Sequence, residues 1–268
     1  MKINYHIHTT FSDGISTMLD YCEAAIQKGF KEIAFTDHLT IHPDGSAEPH
    51  SLNELKLDNY VSEARKISEK YRDKLTVKLG VEADYIPGNE EILEKVLGSY
   101  EFDLIIGSVH FVDGICIDSS KQRVLMEREV RENGFDSFYS KYLYLVGKAV
   151  ETGFFNIVGH MDLVRIWGFN PTNGFIEEQK VLSLVKKRKM CLEVSSRGLR
   201  QPINSIYPSP RIMKKACELG VPITIGTDAH SVEEIDYAYN VLTHYVREMG
   251  YEKITTFDKC KYVEKSFD

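Results

Sequence analysis

The sequence predicts an α/β protein in which seven parallel strands form a closed or nearly closed barrel covered by helices. Short apolar runs typical of buried strands alternate along the 268 residues with segments of helical apolar spacing. Such alternation implies parallel strands with helices packed on them. Seven units over this length favour a barrel, and an open doubly wound sheet is the alternative. No linker or low-complexity tract divides the chain, so we expect residues 1–268 to form a single domain.

The predicted strands and helices follow one another in a regular order. The strands are residues 2–8, 32–36, 76–82, 103–110, 155–160, 190–195 and 222–227. Helical spacing occupies residues 19–29, 61–67, 92–96, 135–150 and 175–187. A further helix is predicted to begin at Pro210 and to end before Gly220. Ser231 and Glu234 form a capping-box pattern, which predicts the start of a last helix that ends near Met249.

Composition and charge favour chemistry on small molecules. The chain has 33 Lys and Arg against 40 Asp and Glu, a net charge of −7, which disfavours nucleic acid and anionic membranes as partners. Residues 1–20 contain no apolar run of signal-peptide length, so we expect a cytoplasmic protein. The five cysteines form no C-x-x-C pair, which argues against a disulfide framework and against a thiolate zinc site. A homo-oligomer is possible.

Histidine and acidic residues recur where the predicted strands end. His6 and His8 share one face of the first strand because side chains alternate along a strand. Six of the seven strands end in such residues, and the carboxyl ends of barrel strands carry active sites. Asp37 and Asp228, taken singly, could cap helices. Jointly, imidazole and carboxylate donors without thiolate predict a catalytic site for Zn, Mn or Fe. The later candidates are Asp37, His38, Glu82, His110, His160, Asp228 and His230.

These residues lie in motifs that resemble the polymerase and histidinol phosphatase superfamily, in order and over nearly the whole chain. The motifs are H-x-H at His6 and His8, F-S-D-G at Asp13, T-D-H at His38, G-V-E-A-D at Glu82, G-S-V-H at His110, G-H at His160 and T-D-A-H at Asp228 and His230. The resemblance implies a distorted seven-stranded (β/α) TIM-like barrel that holds two or three divalent metal ions.

The resemblance also implies which residues hold each ion. His6, His8, Glu82 and Asp228 would bind the first. Glu82 would bridge to the second, with His110 and His160, and the third would lie with Asp13, His38 and His230. Many relatives have histidine near the position of Asp13, and an aspartate before Gly14 is also common in turns.

Further motifs resemble the histidinol-phosphate phosphatase branch of that superfamily. They begin at Glu82, Gly107, His160, Gly198 and Tyr207, and read E-A-D-Y-I-P-G, G-S-V-H-F, H-M-D-L-V-R, G-L-R and Y-P-S. The branch implies hydrolysis of a small phosphate monoester, L-histidinol phosphate, in histidine biosynthesis. Residues 195–198 depart from the pattern of the branch, which weakens the assignment of Arg197.

The expected mechanism is attack on phosphorus by a hydroxide that bridges two metal ions. Arg165 and Arg200, with Arg197 less secure, are the predicted phosphate-binding residues, because a guanidinium donates two parallel hydrogen bonds to phosphate. Glu82 takes part as the bridging ligand, and Asp228 or His230 is the predicted proton donor.

Other functions stay open at this point. The same metal site could serve another phosphate ester, such as a nucleotide, a sugar phosphate or phosphotyrosine. Nucleic-acid processing is disfavoured by the net charge, and a non-catalytic binding protein is a further alternative. The residues that could bind the amine and imidazole of the substrate, which the sequence does not rank, are Tyr85, Phe111, Asp113, Asp118 and Asp162.

Overall fold

The computed structural model describes residues 1–267, apart from the side chain of Glu54. Its strands are β1 (Ile3–Asn4), β2 (Glu32–Phe35), β3 (His38–Leu39), β4 (Thr76–Asp84), β5 (Leu104–Ser108), β6 (Phe111–Val112), β7 (Ile115–Cys116), β8 (Ile157–Val158), β9 (Cys191–Ser195), β10 (Ile223–Gly226), β11 (Lys253–Asp258) and β12 (Lys261–Ser266). Its helices are α1 (Met18–Gln27), α2 (Glu54–Tyr71), α3 (Glu90–Gly98), α4 (Arg123–Asn133), α5 (Phe135–Thr152), α6 (Phe175–Lys187), α7 (Pro210–Glu218) and α8 (Tyr239–Glu248).

The main sheet is parallel and runs in the order β1-β2-β4-β5-β8-β9-β10, with β3 also paired to β4. Its two edges meet, because the chain after β1 bonds to β10 and to the residues that follow it. The Tyr5 amide donates to the Ile225 carbonyl at 3.0 Å, and the His8 amide donates to the Ala229 carbonyl at 2.9 Å. The sheet is therefore a nearly closed barrel of seven parallel strands, as predicted, and the open-sheet alternative is wrong.

The barrel strands are buried along almost their whole length, which explains why they read as apolar runs and not as alternating ones. Helix ends follow local sequence signals. Thr17 and Asp20 form a capping box at the start of α1. Pro210 opens α7, and Gly220 lies beyond its end with φ +64°, so these predicted bounds are confirmed.

The predicted start of the last helix at Ser231 is wrong. A 3-10 turn covers Val232–Glu234, and α8 begins only at Tyr239. The Ser231 side chain makes no capping hydrogen bond. The Glu234 carboxylate accepts instead from the His230 amide at 2.9 Å, so a tertiary contact has replaced the local cap.

Three further elements were not predicted. The β6–β7 hairpin and α4 lie between β5 and α5, and the β11–β12 hairpin follows α8. α4 was missed because Met126 is its one buried residue, which leaves no helical pattern of apolar residues. β12 was missed because it is exposed throughout and so lacks an apolar run. Among the described residues, no helix has the length and apolar character needed to cross a membrane.

Candidate metal centre

The nine residues predicted as metal ligands lie together at the carboxyl end of the barrel, and Glu82 is at their centre. Glu82 lies two residues before the end of β4 and is 1% exposed, so its carboxylate is enclosed by side chains from neighbouring strands. Its oxygens lie 3.2 Å from His6 Nε2, 3.4 Å from His8 Nε2 and 2.9 Å from His160 Nε2.

Two more imidazoles and a carboxylate complete this inner group. Glu82 lies 2.9 Å from His38 Nδ1 and 3.7 Å from His110 Nε2. Asp228 lies 3.2 Å from His8 Nε2 on the opposite side. The first and second ligand sets implied by the sequence are therefore adjacent, and both include Glu82.

Asp13 joins the cluster from a loop. Its carboxylate lies 3.2 Å from His230 Nε2 and 3.7 Å from His38 Nε2, which brings the third predicted set together. The loop is held by Asp37, which accepts hydrogen bonds from the amides of Thr9 and Ser12 at 2.8 and 3.1 Å. Asp37 thus acts on the Asp13 loop and does not cap a helix.

The atoms of this cluster fit divalent cations. Four buried ring nitrogens and one carboxylate oxygen have no hydrogen-bond partner among the described residues, although such atoms are costly to bury unpaired. Imidazole and carboxylate without thiolate suit Zn, Mn or Fe. Cations bound between Glu82 and the imidazoles would satisfy those of these atoms that face the cluster. The four nitrogens and one oxygen are His6 Nε2, His8 Nδ1 and Nε2, His160 Nδ1 and Glu82 Oε2.

The pKa shifts of Glu82 and its neighbouring imidazoles also favour a cation site. Burial opposes the charge of Glu82, yet His6 and His38 hold the pKa of its carboxyl well below the usual range. Burial also disfavours the charged form of His38, but Glu82 outweighs it and raises the pKa of His38 to about 9. Burial, with His38 and His230 nearby, lowers the pKa of His8 to about 3. The protein thus keeps Glu82 ionised and His8 neutral, which are the forms in which a carboxylate and an imidazole bind a cation.

Two buried carboxylates orient the imidazoles from behind. Glu193 in β9 lies 2.7 Å from His6 Nδ1 and accepts from the His160 amide at 2.8 Å. Asp84 lies 2.7 Å from His110 Nδ1. Each leaves Nε2 of its imidazole facing Glu82, the arrangement of a carboxylate that orients a metal ligand.

Sequence reasoning missed Glu193. The signal available was an acidic residue in the middle of an otherwise apolar strand, in C-L-E-V-S. An inward carboxylate in a barrel strand needs a buried partner.

Asp228 has an unusual backbone that a neighbouring arginine supports. Its φ of +51° lies in the left-handed region, which is uncommon for a residue other than glycine. Nη2 of Arg200 donates to the carbonyls of Thr227 and Asp228, both at 2.8 Å. Nε of Arg200 lies 3.2 Å from the Glu234 carboxylate. The structure thus places Arg200 against the loop that carries Asp228 and His230.

The other two predicted phosphate-binding arginines lie in different surroundings. Arg165 is buried and donates to Asp162 at 2.7 Å and to Asn170 at 2.9 Å, neither of which belongs to the cluster. Arg197 lies at the cluster itself, with Nε 3.6 Å from Asp228 Oδ2 and Nη1 3.4 Å from His230 Nδ1.

A cavity of about 430 Å³ opens beside the cluster. Its inner wall contains Asp13, His38, Asp84 and His110. Its outer walls come from residues 48–51, before α2, and from the end of β7 and the segment that follows it, with Cys116, Asp118, Ser119, Lys121 and Gln122. A small molecule in this cavity would reach the cluster directly.

Comparison with known proteins shows the family of the chain. Residues 4–197 match the PHP domain family. The chain is 30% identical over 251 residues to a "Probable histidinol-phosphatase" of Deinococcus radiodurans, covering 93% of this chain and 94% of that protein. It is 26% identical over 263 residues to the histidinol-phosphatase of Bacillus subtilis, covering 89% of this chain and 97% of that protein.

A solved structure shares the fold. The crystal structure of histidinol phosphate phosphatase from Lactococcus lactis, complexed with Zn, L-histidinol and phosphate, matches with a TM-score of 0.80 and 24% identity. The match covers 98% of both chains, so the two proteins share the fold over nearly their whole length.

Proposed function

The chain belongs to the PHP domain family, and from that premise we propose that it is a metal-dependent phosphatase that hydrolyses L-histidinol phosphate to L-histidinol and phosphate. The observation that carries the proposal is the position of Glu82, which meets His6, His8 and His160 within 3.4 Å at the mouth of the barrel. The full-length similarity to histidinol-phosphatases supports the choice of substrate.

We propose that two or three divalent ions occupy the cluster, with Zn, Mn and Fe as the candidates. His6, His8, Glu82 and Asp228 would hold the first. Glu82, His110 and His160 would hold the second, and Asp13, His38 and His230 the third. When bound, the ions supply Lewis acidity, which neutralises phosphoryl oxygens and activates water.

Among the arginines, Arg197 is the residue that we assign to the phosphate. It is 23% exposed at its side chain, and its contacts with Asp228 and His230 are 3.4 Å or longer. Its guanidinium can therefore donate to a phosphate at the cluster. Arg165 donates to Asp162 and Asn170 at 2.7 to 2.9 Å, so it serves the site less directly. Nη2 of Arg200 donates to the carbonyls of Thr227 and Asp228, which assigns Arg200 first to the loop of Asp228 and His230, while its Nε and Nη1 have no hydrogen-bond partner among the described residues.

The leaving oxygen needs a proton, and the two predicted donors differ. Burial opposes the charge of Asp228, but Arg197 and His6 hold the pKa of its carboxyl well below the usual range. Asp228 is therefore ionised near neutral pH and suits a cation better than a proton. His230, 20% exposed at the edge of the cluster, is the proton donor that we propose, in the state in which it does not hold the third ion.

The proposal is tested by steady-state phosphate release. Chelated protein is supplied separately with Zn, Mn, Co or Fe and assayed on histidinol phosphate, a nucleoside monophosphate and a sugar phosphate. We expect chelation to abolish release, metal to restore it, and kcat/KM to be highest for histidinol phosphate. Equal turnover of the nucleotide would remove the specific substrate and leave a broader phosphatase.

A further inference from the structure

The cavity beside the cluster has a wall of its own beyond the predicted ligands. The β6–β7 hairpin and the residues after it form that wall, with Phe111, Cys116 and Asp118 lining the cavity. Phe111 meets the ring of His42 edge to face, at 5.4 Å between ring centres. The volume of about 430 Å³ is in the range of small-molecule pockets.

Two of the carboxylates that the sequence offered for binding a cationic group of the substrate lie outside the cavity. Asp113 lies in the same hairpin, but its side chain is 61% exposed and pairs with Lys141 at 2.8 Å. Asp162 is fully buried and pairs with Arg165. Neither lines the cavity.

The other acidic residues of the cavity wall are engaged. Asp84 holds His110 at 2.7 Å, Glu48 lies 2.8 Å from His42 Nε2, and Asp13 lies in the cluster. Asp118 differs, because the one hydrogen bond recorded for it among the described residues comes from the Cys116 thiol at 3.2 Å. Among the described residues, this half-buried carboxylate forms no ion pair within 4.0 Å.

A carboxylate without a cation, in a cavity that opens onto a phosphate site, is suited to an ammonium group. Of the wall carboxylates Asp13, Glu48, Asp84 and Asp118, the first three face histidines, and the lysine of the wall, Lys121, is exposed. Asp118 is therefore the carboxylate of this wall that should attract a positive charge. A phosphate ester that also carries an amine could place its phosphate at the cluster and its amine at Asp118.

We propose that Asp118 is a specificity-determining residue that binds the ammonium group of the substrate. This inference rests on the proposed function, since it assigns the amine of that substrate. The same role of Asp118 would apply to any small phosphate monoester that carries a primary amine within reach of the cavity.

The test compares two esters that differ in the amine alone. They are histidinol phosphate and its deamino analogue, 3-(imidazol-4-yl)propyl phosphate. In Asp118→Asn we expect kcat/KM for histidinol phosphate to fall about 10- to 100-fold, mostly through KM, because a charge-assisted hydrogen bond is lost. Turnover of the deamino ester should be unchanged, which also shows that the variant is folded and holds metal.

Asp113→Asn is the matched control, since it removes a carboxylate from the same hairpin outside the cavity, and both esters should be unaffected. Equal losses on both esters in Asp118→Asn would overturn the role of Asp118. A wild-type protein that prefers neither histidinol phosphate over other monoesters nor the amine-bearing ester would instead contradict the proposed function.

A second measurement covers the case in which Asp118→Asn does not fold. In the wild-type protein, L-histidinol and 3-(imidazol-4-yl)propan-1-ol are compared as product inhibitors. We expect L-histidinol to bind about 10-fold or more tightly, since the amine is the one difference. Equal inhibition constants would overturn the assignment of an ammonium site in this cavity.

Discussion

Two buried glutamates at opposite ends of the barrel have carboxyl pKa values shifted in opposite directions. Glu32 begins β2, is 5% exposed, and accepts a hydrogen bond from the Tyr5 hydroxyl. Burial there raises the pKa of its carboxyl. Glu82 lies near the end of β4 among imidazoles, which hold the pKa of its carboxyl well below the usual range. Burial alone therefore favours a neutral carboxyl, and surrounding imidazoles convert such a residue into an ionised centre suited to cations.

The largest expected effect is at Glu82. Glu82→Gln should lower kcat by roughly 10³-fold on every ester, because several kcal/mol of cation-dependent stabilisation are lost. Metal content by elemental analysis should fall with it. Glu32→Gln is the matched control and should retain activity. Substantial activity in metal-replete Glu82→Gln would contradict the central role of this carboxylate.

The arginines at the mouth should divide into two phenotypes. Arg197→Met should lower kcat/KM about 10- to 100-fold through loss of a charge-assisted contact with phosphate, with metal affinity nearly unchanged. Arg200→Met should weaken metal binding instead, because Arg200 supports the loop of Asp228 and His230. Steady-state kinetics with metal titrations of each variant separate the two. Identical profiles would contradict the division.

A smaller effect is expected behind the cluster. Glu193→Gln should weaken metal affinity about 10- to 100-fold, because it alters the group that orients His6. Glu178→Gln is a suitable control, since Glu178 is equally buried but is paired with Tyr139 and Arg211. Competition with a chromophoric chelator measures both variants. Equal weakening in both would indicate a general loss of stability and not a role in positioning.

The smallest effect concerns stability at the other end of the barrel. The pKa of Glu32 is raised on folding, so the folded state binds the proton more tightly than the unfolded chain. The resulting stability is present below the usual pKa of a glutamate and is lost as pH rises through the raised one. Glu32→Gln should flatten this part of the pH dependence, as measured by urea unfolding from pH 4 to 7. An unchanged profile would contradict the raised pKa.

The strand-helix order could be predicted from residue patterns, and the nine candidate ligands from those patterns together with the family resemblance. Apolar runs mark buried parallel strands, and all such strands direct their carboxyl ends to one mouth. His6, Glu82 and His160, far apart in the chain, therefore had to meet. Whether the nine residues hold the predicted ions stays a prediction, although their geometry and unpaired atoms support it.

The pairing of individual side chains could not be predicted from the sequence, because it depends on the folded barrel. The Glu234 carboxylate accepts a hydrogen bond from the His230 amide and forms an ion pair with Arg200, although the sequence predicts a local helix cap there. Glu193 contacts His6 across 187 residues of sequence. Arg197 lies at the cluster, whereas Arg165 forms an ion pair with Asp162. Sequence periodicity fixes which face a residue occupies, but partner choice depends on contacts between distant segments, which form when the barrel closes.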